Sequence, residues 1–352
     1  MRPVQSFWLD KRILLTGHSG FKGSWLSLWL SILGAKVTGV SLPPVTTPDL
    51  GSLINLDERV ESKYADIRNA VKLAKIVQET SPEIVFHLAA QPLVRTGYRQ
   101  PLETFSTNIM GTANLLDSFR GVDSIKVAVL ITTDKVYKNR EWVHPYREND
   151  TLGGHDPYSA SKAATEIVAT SYRDSFLSNQ GLALATARAG NVIGGGDWSK
   201  DRLIPDAVKA WDIGNPIHVR NPYAIRPWQH VLEPLAGYLL LAEKLWYQKD
   251  LAGAYNFGPE THTNATVKEV INSAKKYYKN GKVVFDEIQS GPHESGLLAL
   301  EISKAKTILG IKQKWSLPET IKHTMDWYRQ FSEGVDPNLL CCSEISFYES
   351  QS

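Results

Sequence analysis

Apolar positions follow two rhythms along the first half of the chain. Short runs that are apolar throughout read as strands: Arg12 to Thr16, Lys36 to Val40, Ile84 to His87, Lys126 to Thr132 and Leu182 to Ala187. Tyr64 to Ile67 reads as the end of one more strand. Between them lie longer helical patterns, Phe21 to Leu33, Arg68 to Thr80 and Pro157 to Ser178. Strands that do not alternate apolar with polar are covered on both faces. The alternation of strand and helix therefore predicts an α/β, doubly wound, mostly parallel sheet. After Gly190 the rhythm breaks into Gly194-Gly195-Gly196-Asp197 and scattered prolines, with helical patterns at Val231–Gln248, Thr266–Asn280 and Leu317–Phe331. The expected organisation is a dinucleotide-binding domain over 1–190, to which later segments return. A smaller α/β substrate-binding lobe covers 191–331 and a C-terminal extension 332–352.

Composition narrows the partners. Across 352 residues, 42% hydrophobic and 22% charged positions make an ordinary globular balance, and a formal net charge of +2 offers no field for nucleic acid or an anionic membrane. Anionic ligands must be held by local arginines. The apolar run Trp25–Leu33 is too short to span a bilayer, and no basic, apolar leader opens the sequence, so a cytoplasmic protein is expected. Cys341 and Cys342 are adjacent and read as free thiols. No residue spacing suits a metal.

The first candidate chemistry is a phosphate cradle. Gly17-His18-Ser19-Gly20-Phe21-Lys22-Gly23 follows the first strand and opens the first helix. Its glycines permit a tight turn, close approach of the backbone to a pyrophosphate, and close packing of helix on strand, as in a Rossmann fold. The helix N-terminus adds free N–H groups and a partial positive charge. The acidic residue that usually holds the adenosine ribose at the end of strand two is missing, and Ser41 stands there instead. No arginine follows directly to take a 2′-phosphate, which favours NAD over NADP. Asp66 and Ile67 are placed to meet an adenine edge, although Asp66 reads equally well as a helix N-cap.

Tyr158 and Lys162 lie four residues apart, hence on one helix face. A phenol is a poor base at neutral pH, and a nearby ammonium is expected to favour its phenolate. With Thr133 at the end of strand five, this is an arrangement for taking an alcohol proton while hydride leaves the carbon.

These motifs together resemble the extended short-chain dehydrogenase/reductases that act on sugar nucleotides. Thr133-Asp134-Lys135-Val136-Tyr137 is similar to the Thr-Asp-Glu stretch of the nucleotide-sugar 4,6-dehydratases, with lysine in the glutamate's place. That replacement, the run Gly17–Trp25, Arg188–Trp198 and Arg226-Pro-Trp-Gln-His-Val231 resemble the CDP-glucose 4,6-dehydratases. The resemblance implies NAD as cofactor and a three-step reaction. The C4 hydroxyl is oxidised with Tyr158 as proton acceptor, water is lost across C5–C6, and hydride returns to C6. It implies that Asp134 acts as acid at the C6 oxygen and must enter that step protonated, while Thr133 bonds the C4 oxygen. Lys135 falls in the position of the C5 base, with simple pairing to Asp134 as the competing account. The same resemblance adds Leu88, Ala89, Ala90 and Asn108 to the cofactor contacts. It assigns Gln91, Arg95, Asn191, Arg202, Arg226, Tyr255 and Asn256 to the nucleotide sugar.

His87 reads as structural, His18 as shaping the cradle, and His230 and His293 as possible pocket residues. A sugar-nucleotide 4-epimerase would use Tyr158 and Lys162 alike but has no need of Asp134. A regulator that binds NAD without chemistry would need neither Tyr158 nor Lys162. The resemblance also implies a homodimer, with a tetramer open, and supply of 4-keto-6-deoxy sugars for dideoxyhexoses of surface lipopolysaccharide.

Overall fold

Strand runs that are apolar on both faces lie at the centre of the sheet, where helices cover them from two sides. The computed structural model describes residues 2–278, 281–286 and 296–351. Seven strands are β1 Arg12–Thr16, β2 Lys36–Ser41, β3 Glu61–Tyr64, β4 Ile84–His87, β5 Val127–Ile131, β6 Ala183–Ala189 and β7 Gly253–Phe257. They pair in the order β7-β6-β5-β4-β1-β2-β3, and every pairing is parallel. β4 and β5 are buried at every position, whereas β3, Glu-Ser-Lys-Tyr, is polar and forms one edge. β7 comes from the second half of the chain and closes the other edge beside β6.

Strand order reverses between β1 and β4, so a crevice opens beyond the carboxyl ends of those two strands. The helices that frame it are α1 Phe21–Ile32, α2 Ala70–Thr80, α3 Gly111–Asp117, α4 Pro157–Tyr172 and α5 Leu203–Asp212. Further helices are α6 Leu232–Tyr247, α7 Val267–Tyr277, α8 Leu317–Ser332 and α9 Pro337–Ser350. α1 carries an almost unbroken buried stretch from Gly23 to Leu30, as its apolar run predicts.

Several boundaries differ from the expectation. β3 ends at Tyr64 and α2 starts at Ala70, because Asn69, and not Asp66, caps it by accepting from the Lys72 amide. The helix after Pro157 gives way to a π turn over Arg173–Leu177. A second π turn, Ser106–Met110, leads into α3 and places Asn108. The extension at 332–352 contains α9, whose Leu340, Cys341, Ile345 and Tyr348 are buried against the rest of the chain. Both cysteines are free. No helix among the described residues is long and apolar enough to cross a membrane.

Candidate active site

Tight backbone geometry makes the cradle. Gly17 adopts φ +78°, and a Cβ there would lie 2.6 Å from the Ala89 nitrogen. A Cβ at Gly23 would sit 2.0 Å from the Gly17 carbonyl oxygen, so α1 can approach β1 only with glycine. Gly20 caps α1 without a side chain, which leaves the first helical N–H groups, from Phe21 on, facing the crevice. Phe21 leans on the hydrophobic core, and the Ser19 hydroxyl donates to the Leu42 carbonyl at 3.1 Å. His18 is buried against Gly39 and bonds the Ser62 hydroxyl at 2.9 Å, so it shapes the loop.

These residues fit a dinucleotide. A fully formed cradle faces the switch point, and the buried Ser41 hydroxyl at the end of β2 has no partner among the described residues. Asp66 is turned into a local turn, accepting from the Arg68 amide at 2.8 Å and pairing with the Arg68 guanidinium at 2.6 Å. Ile67 is buried against Gly111, and its carbonyl accepts from Asn114. Leu88, Ala89 and Ala90 follow β4 directly and form the far wall of the cradle. The Asn108 amide is spent within the protein. It receives the Gln91 amide proton at 2.8 Å and donates to Ser161 Oγ at 2.8 Å, so it fixes the loop after β4 from beneath instead of reaching a ligand with its side chain.

The acid/base residues meet at the carboxyl end of β5. Thr133 Oγ1 donates to Asp134 Oδ1 at 2.9 Å, and Lys135 Nζ stands 3.6 Å from the same oxygen. Asp134 is 1% exposed, and its other oxygen, Oδ2, has no partner among the described residues. Tyr158, on the first turn of α4, is buried beside them. Burial pushes its phenol up to about 12; the Thr133 side chain and Arg202 pull it down, and Asp134 and Asp156 push it up. Lys162, one turn further along α4, is buried with it. Its Nζ donates to the Ile131 carbonyl at 3.0 Å, and burial lowers its pKa to about 8 with Glu166 pulling the other way.

Lys22 is the surprise of the cradle. Desolvation, then Arg202, brings its pKa down to about 7, with Asp134 and Asp197 pulling the other way. By sequence position alone Lys22 belongs to the phosphate loop.

Beneath the site lies a polar layer that local spacing did not reveal. Glu166 accepts from Thr132 and Thr186 and pairs with Arg188 at 2.7 Å, with both side chains almost wholly buried. Arg188 donates to Tyr137 Oη at 2.9 Å, and Tyr137 donates to Asn256 Oδ1 at 2.7 Å. His87 bridges Thr16 at 2.6 Å and Thr112 at 2.9 Å, as its structural reading implied. Burial, then the nearby Lys162, lowers its pKa from 6.5 to about 3. Between those two values the unfolded chain binds a proton that the folded chain refuses. Stability therefore falls with acid through that window, by about 1.4 kcal/mol per pH unit. Replacing His87 by Gln keeps a donor and an acceptor for the two threonines. We expect it to flatten the acid limb of a plot of urea midpoint against pH; an unchanged limb would contradict this account.

On the sugar side the structure sorts the candidates. Arg202 stands at the N-terminal boundary of α5, and its side chain pairs with the buried Asp197 at 2.9 Å. Arg95 lies 3.5 Å from Asp201 at the same mouth. Asn191 is partly buried, and its carbonyl receives the Gln229 amide; Arg226 is buried and donates to the Ile225 carbonyl at 2.9 Å. The Gln91 amide is used at both ends, by Thr104 and by the Leu93 N–H, so it holds the loop. Two expectations fail on burial. Tyr255 is a core residue whose hydroxyl donates to the Leu251 carbonyl, and Asn256 is sealed between Tyr137, Tyr146 and Glu301. His230 is likewise no pocket residue, being fully buried 3.3 Å from Glu344 under Trp315. His293 lies outside the described residues. Among the described residues no cluster of histidine, cysteine or carboxylate can hold a metal.

The family described as GDP-mannose 4,6 dehydratase matches residues 14–324. The chain belongs to that family of extended short-chain dehydrogenase/reductases. This dehydratase-family chain is 46% identical to a CDP-glucose 4,6-dehydratase of Salmonella typhimurium, over 98% of both chains. It is 28% identical to a UDP-glucose 4-epimerase of Halalkalibacterium halodurans, over 92% of this chain and 97% of that one. Among solved structures, a double mutant of the dTDP-glucose 4,6-dehydratase from Streptomyces venezuelae, with NAD bound, superposes with a TM-score of 0.75. That superposition covers 93% of this chain and 99% of the other at 22% identity, and it establishes the fold.

Proposed function

We propose that this chain is an NAD-dependent hydro-lyase that converts CDP-D-glucose to CDP-4-dehydro-6-deoxy-D-glucose. The observation that carries dehydration over simple epimerisation is Asp134. It is a buried carboxyl with one oxygen tied to Thr133 and the other unpartnered, beside Tyr158. An epimerase needs the phenol and Lys162 but no acid at C6. The cytidine preference rests on the relative of 46% identity.

Gly17, Ser19, Gly20, the N–H groups of Phe21, Lys22 and Gly23, and Ser41 would hold the dinucleotide. When bound, NAD supplies a hydride acceptor at C4 and returns the hydride to C6. The protein's own residues manage the protons. Tyr158 exchanges the proton of the C4 oxygen, with Thr133 bonding that oxygen, and Asp134 gives its proton to the C6 oxygen as water leaves. Arg202, with Arg95 and Arg226, is the cationic equipment for the diphosphate.

We further propose a homodimer. Leu102, Met110, Ile167 and Phe176 are exposed on the segments 101–110 and 157–177, which support a helix-to-helix interface. Light scattering at twice 39.2 kDa tests it. Supply of dideoxyhexose precursors for lipopolysaccharide, in the cytoplasm, is the proposed setting.

The deciding experiment is incubation with NAD and, separately, CDP-glucose, UDP-glucose, dTDP-glucose and GDP-mannose, with products read by mass. Loss of one water from CDP-glucose alone is the expected result. Loss from another sugar instead would discard the base preference, and an isomer of unchanged mass would establish epimerisation.

A further inference from the structure

We propose that the buried Glu166–Arg188 pair is the positioning device of the elimination step: it holds both ends of the segment 132–137 and so sets the aim of the Asp134 carboxyl relative to Tyr158. This rests on the dehydratase reading above and gives a task to side chains that lie beneath the site and touch no substrate.

The acid stands on a short piece of chain. β5 ends at Ile131, and Asp134 opens a single 3₁₀ turn over Asp134–Val136, an element with few bonds of its own. Asp134 Oδ2 has no partner among the described residues, so the aim of the carboxyl follows the backbone that carries it. That backbone is tied at its two flanks. On one side Thr132 Oγ1 donates to Glu166 Oε1. On the other, Tyr137 Oη accepts from Arg188 Nη1 at 2.9 Å and donates to Asn256 Oδ1 at 2.7 Å. Glu166 Oε2 and Arg188 Nη2 then meet at 2.7 Å, with almost nothing of either side chain exposed. The contacts close a ring from Thr132 through the ion pair to Tyr137, and Asp134 is strung between its ends.

The same pair ties this segment to the helix that carries the phenol. Glu166 lies on α4 with Tyr158, one turn beyond Lys162. Lys162 Nζ donates to the Ile131 carbonyl at 3.0 Å, so α4 grips two successive residues, Ile131 through Lys162 and Thr132 through Glu166. Thr186 Oγ1 on β6 donates to Glu166 Oε2 at 2.7 Å, and Arg188 Nη1 also donates to the Glu148 carbonyl at 2.9 Å. Leaving either buried charge without its partner is costly, which closes off other arrangements of the network.

Backbone bonds keep the fold of the segment without these side chains. The Thr132 amide donates to the Ala187 carbonyl at 2.9 Å, Tyr137 bridges Leu152, and its ring stacks on Tyr146 with centroids 5.1 Å apart. Thr132→Val and Tyr137→Phe therefore cut one tether each and leave the shape of the side chain. Thr132→Ser keeps the hydroxyl and serves as the conservative control.

Each variant is compared with wild type for turnover of CDP-glucose, KM, melting temperature, and absorbance of reduced cofactor during a single turnover. Thr132→Val and Tyr137→Phe should each lose turnover by ~10–100-fold at unchanged KM, the scale that a misplacement of about 1 Å produces. Reduced cofactor should accumulate in both, because Tyr158 still serves the oxidation while loss of water lags. Thr132→Ser should turn over as wild type does, without that accumulation. Wild-type turnover in Thr132→Val and Tyr137→Phe, slow turnover without reduced cofactor, or a Thr132→Ser variant as slow as Thr132→Val would each overturn the proposal. A wild type that releases no water removes the dehydratase reading and this inference with it, whereas an active wild type with unaffected variants removes this inference alone.

Discussion

Tyr158→Phe should lower turnover by roughly 10²–10⁴-fold while leaving NAD affinity and the melting temperature close to wild type. The substitution removes one oxygen from a buried ring, and the helix that carries the ring is held independently. Asp156 caps α4 through the Ser159 amide at 3.0 Å, and Lys162 anchors the next turn on the Ile131 carbonyl. The phenol's neighbours are Thr133, Asp134 and Arg202, and burial keeps its proton on, at about 12. The phenol is therefore poised to share the proton of the C4 oxygen with Thr133, and its basicity must come from the cationic side of the pocket, where Arg202 already pulls its pKa down. Reduced cofactor at 340 nm reads the oxidation directly. A Phe variant that still builds up that absorbance at the wild-type rate would remove Tyr158 from the first step.

Arg188→Met should cost about 3–5 kcal/mol of stability, read as a drop in the urea midpoint at constant slope. Arg188 and Glu166 form the 2.7 Å pair with 4% and 3% of their side chains exposed. Deleting the cation leaves a carboxylate held by Thr132 and Thr186 without compensation. It also frees the Glu148 carbonyl and the Tyr137 hydroxyl, on whose ring the guanidinium stacks at 5.1 Å. The double variant Glu166→Gln with Arg188→Met should recover much of the loss, because no lone buried charge remains. Equal loss in single and double variants would show that packing, and not charge, is what the pair supplies. Glu166 is also one turn from Lys162 and supports its charge, so the Glu166→Gln change should move the alkaline limb of activity to lower pH.

How far the chain could be read locally depends on the range over which each cause acts. The strands from Arg12 and from Ile84 are legible because burial on both faces writes an unbroken apolar run, and the cradle is legible because only glycine fits at Gly17 and Gly23. Tyr158 and Lys162 become legible when their helical spacing is read together with the cradle and Thr133. Local legibility ends where one residue has two local accounts. Asp66 reads as a cap or a ligand contact, and the structure gives the cap to Asn69 and pairs Asp66 with Arg68. Tyr255 and Asn256 sit on a strand that looks like pocket wall until the edge of the sheet is seen to bury them.

The sequence by itself determined the strands of the first half, the helix that opens on the cradle, and the Tyr158–Lys162 pair, since periodicity, turn chemistry and spacing act over a few residues; the roles of Thr133 and Asp134 came from the resemblance to the dehydratases. Tertiary structure alone decided what those groups feel. It pairs Arg202 with Asp197 at the mouth of the site; it joins Glu166 to Arg188 and Tyr137 to Asn256 across the sheet. Desolvation and charge pairing depend on which distant groups share a dry space, and no stretch of chain carries that information until it is folded.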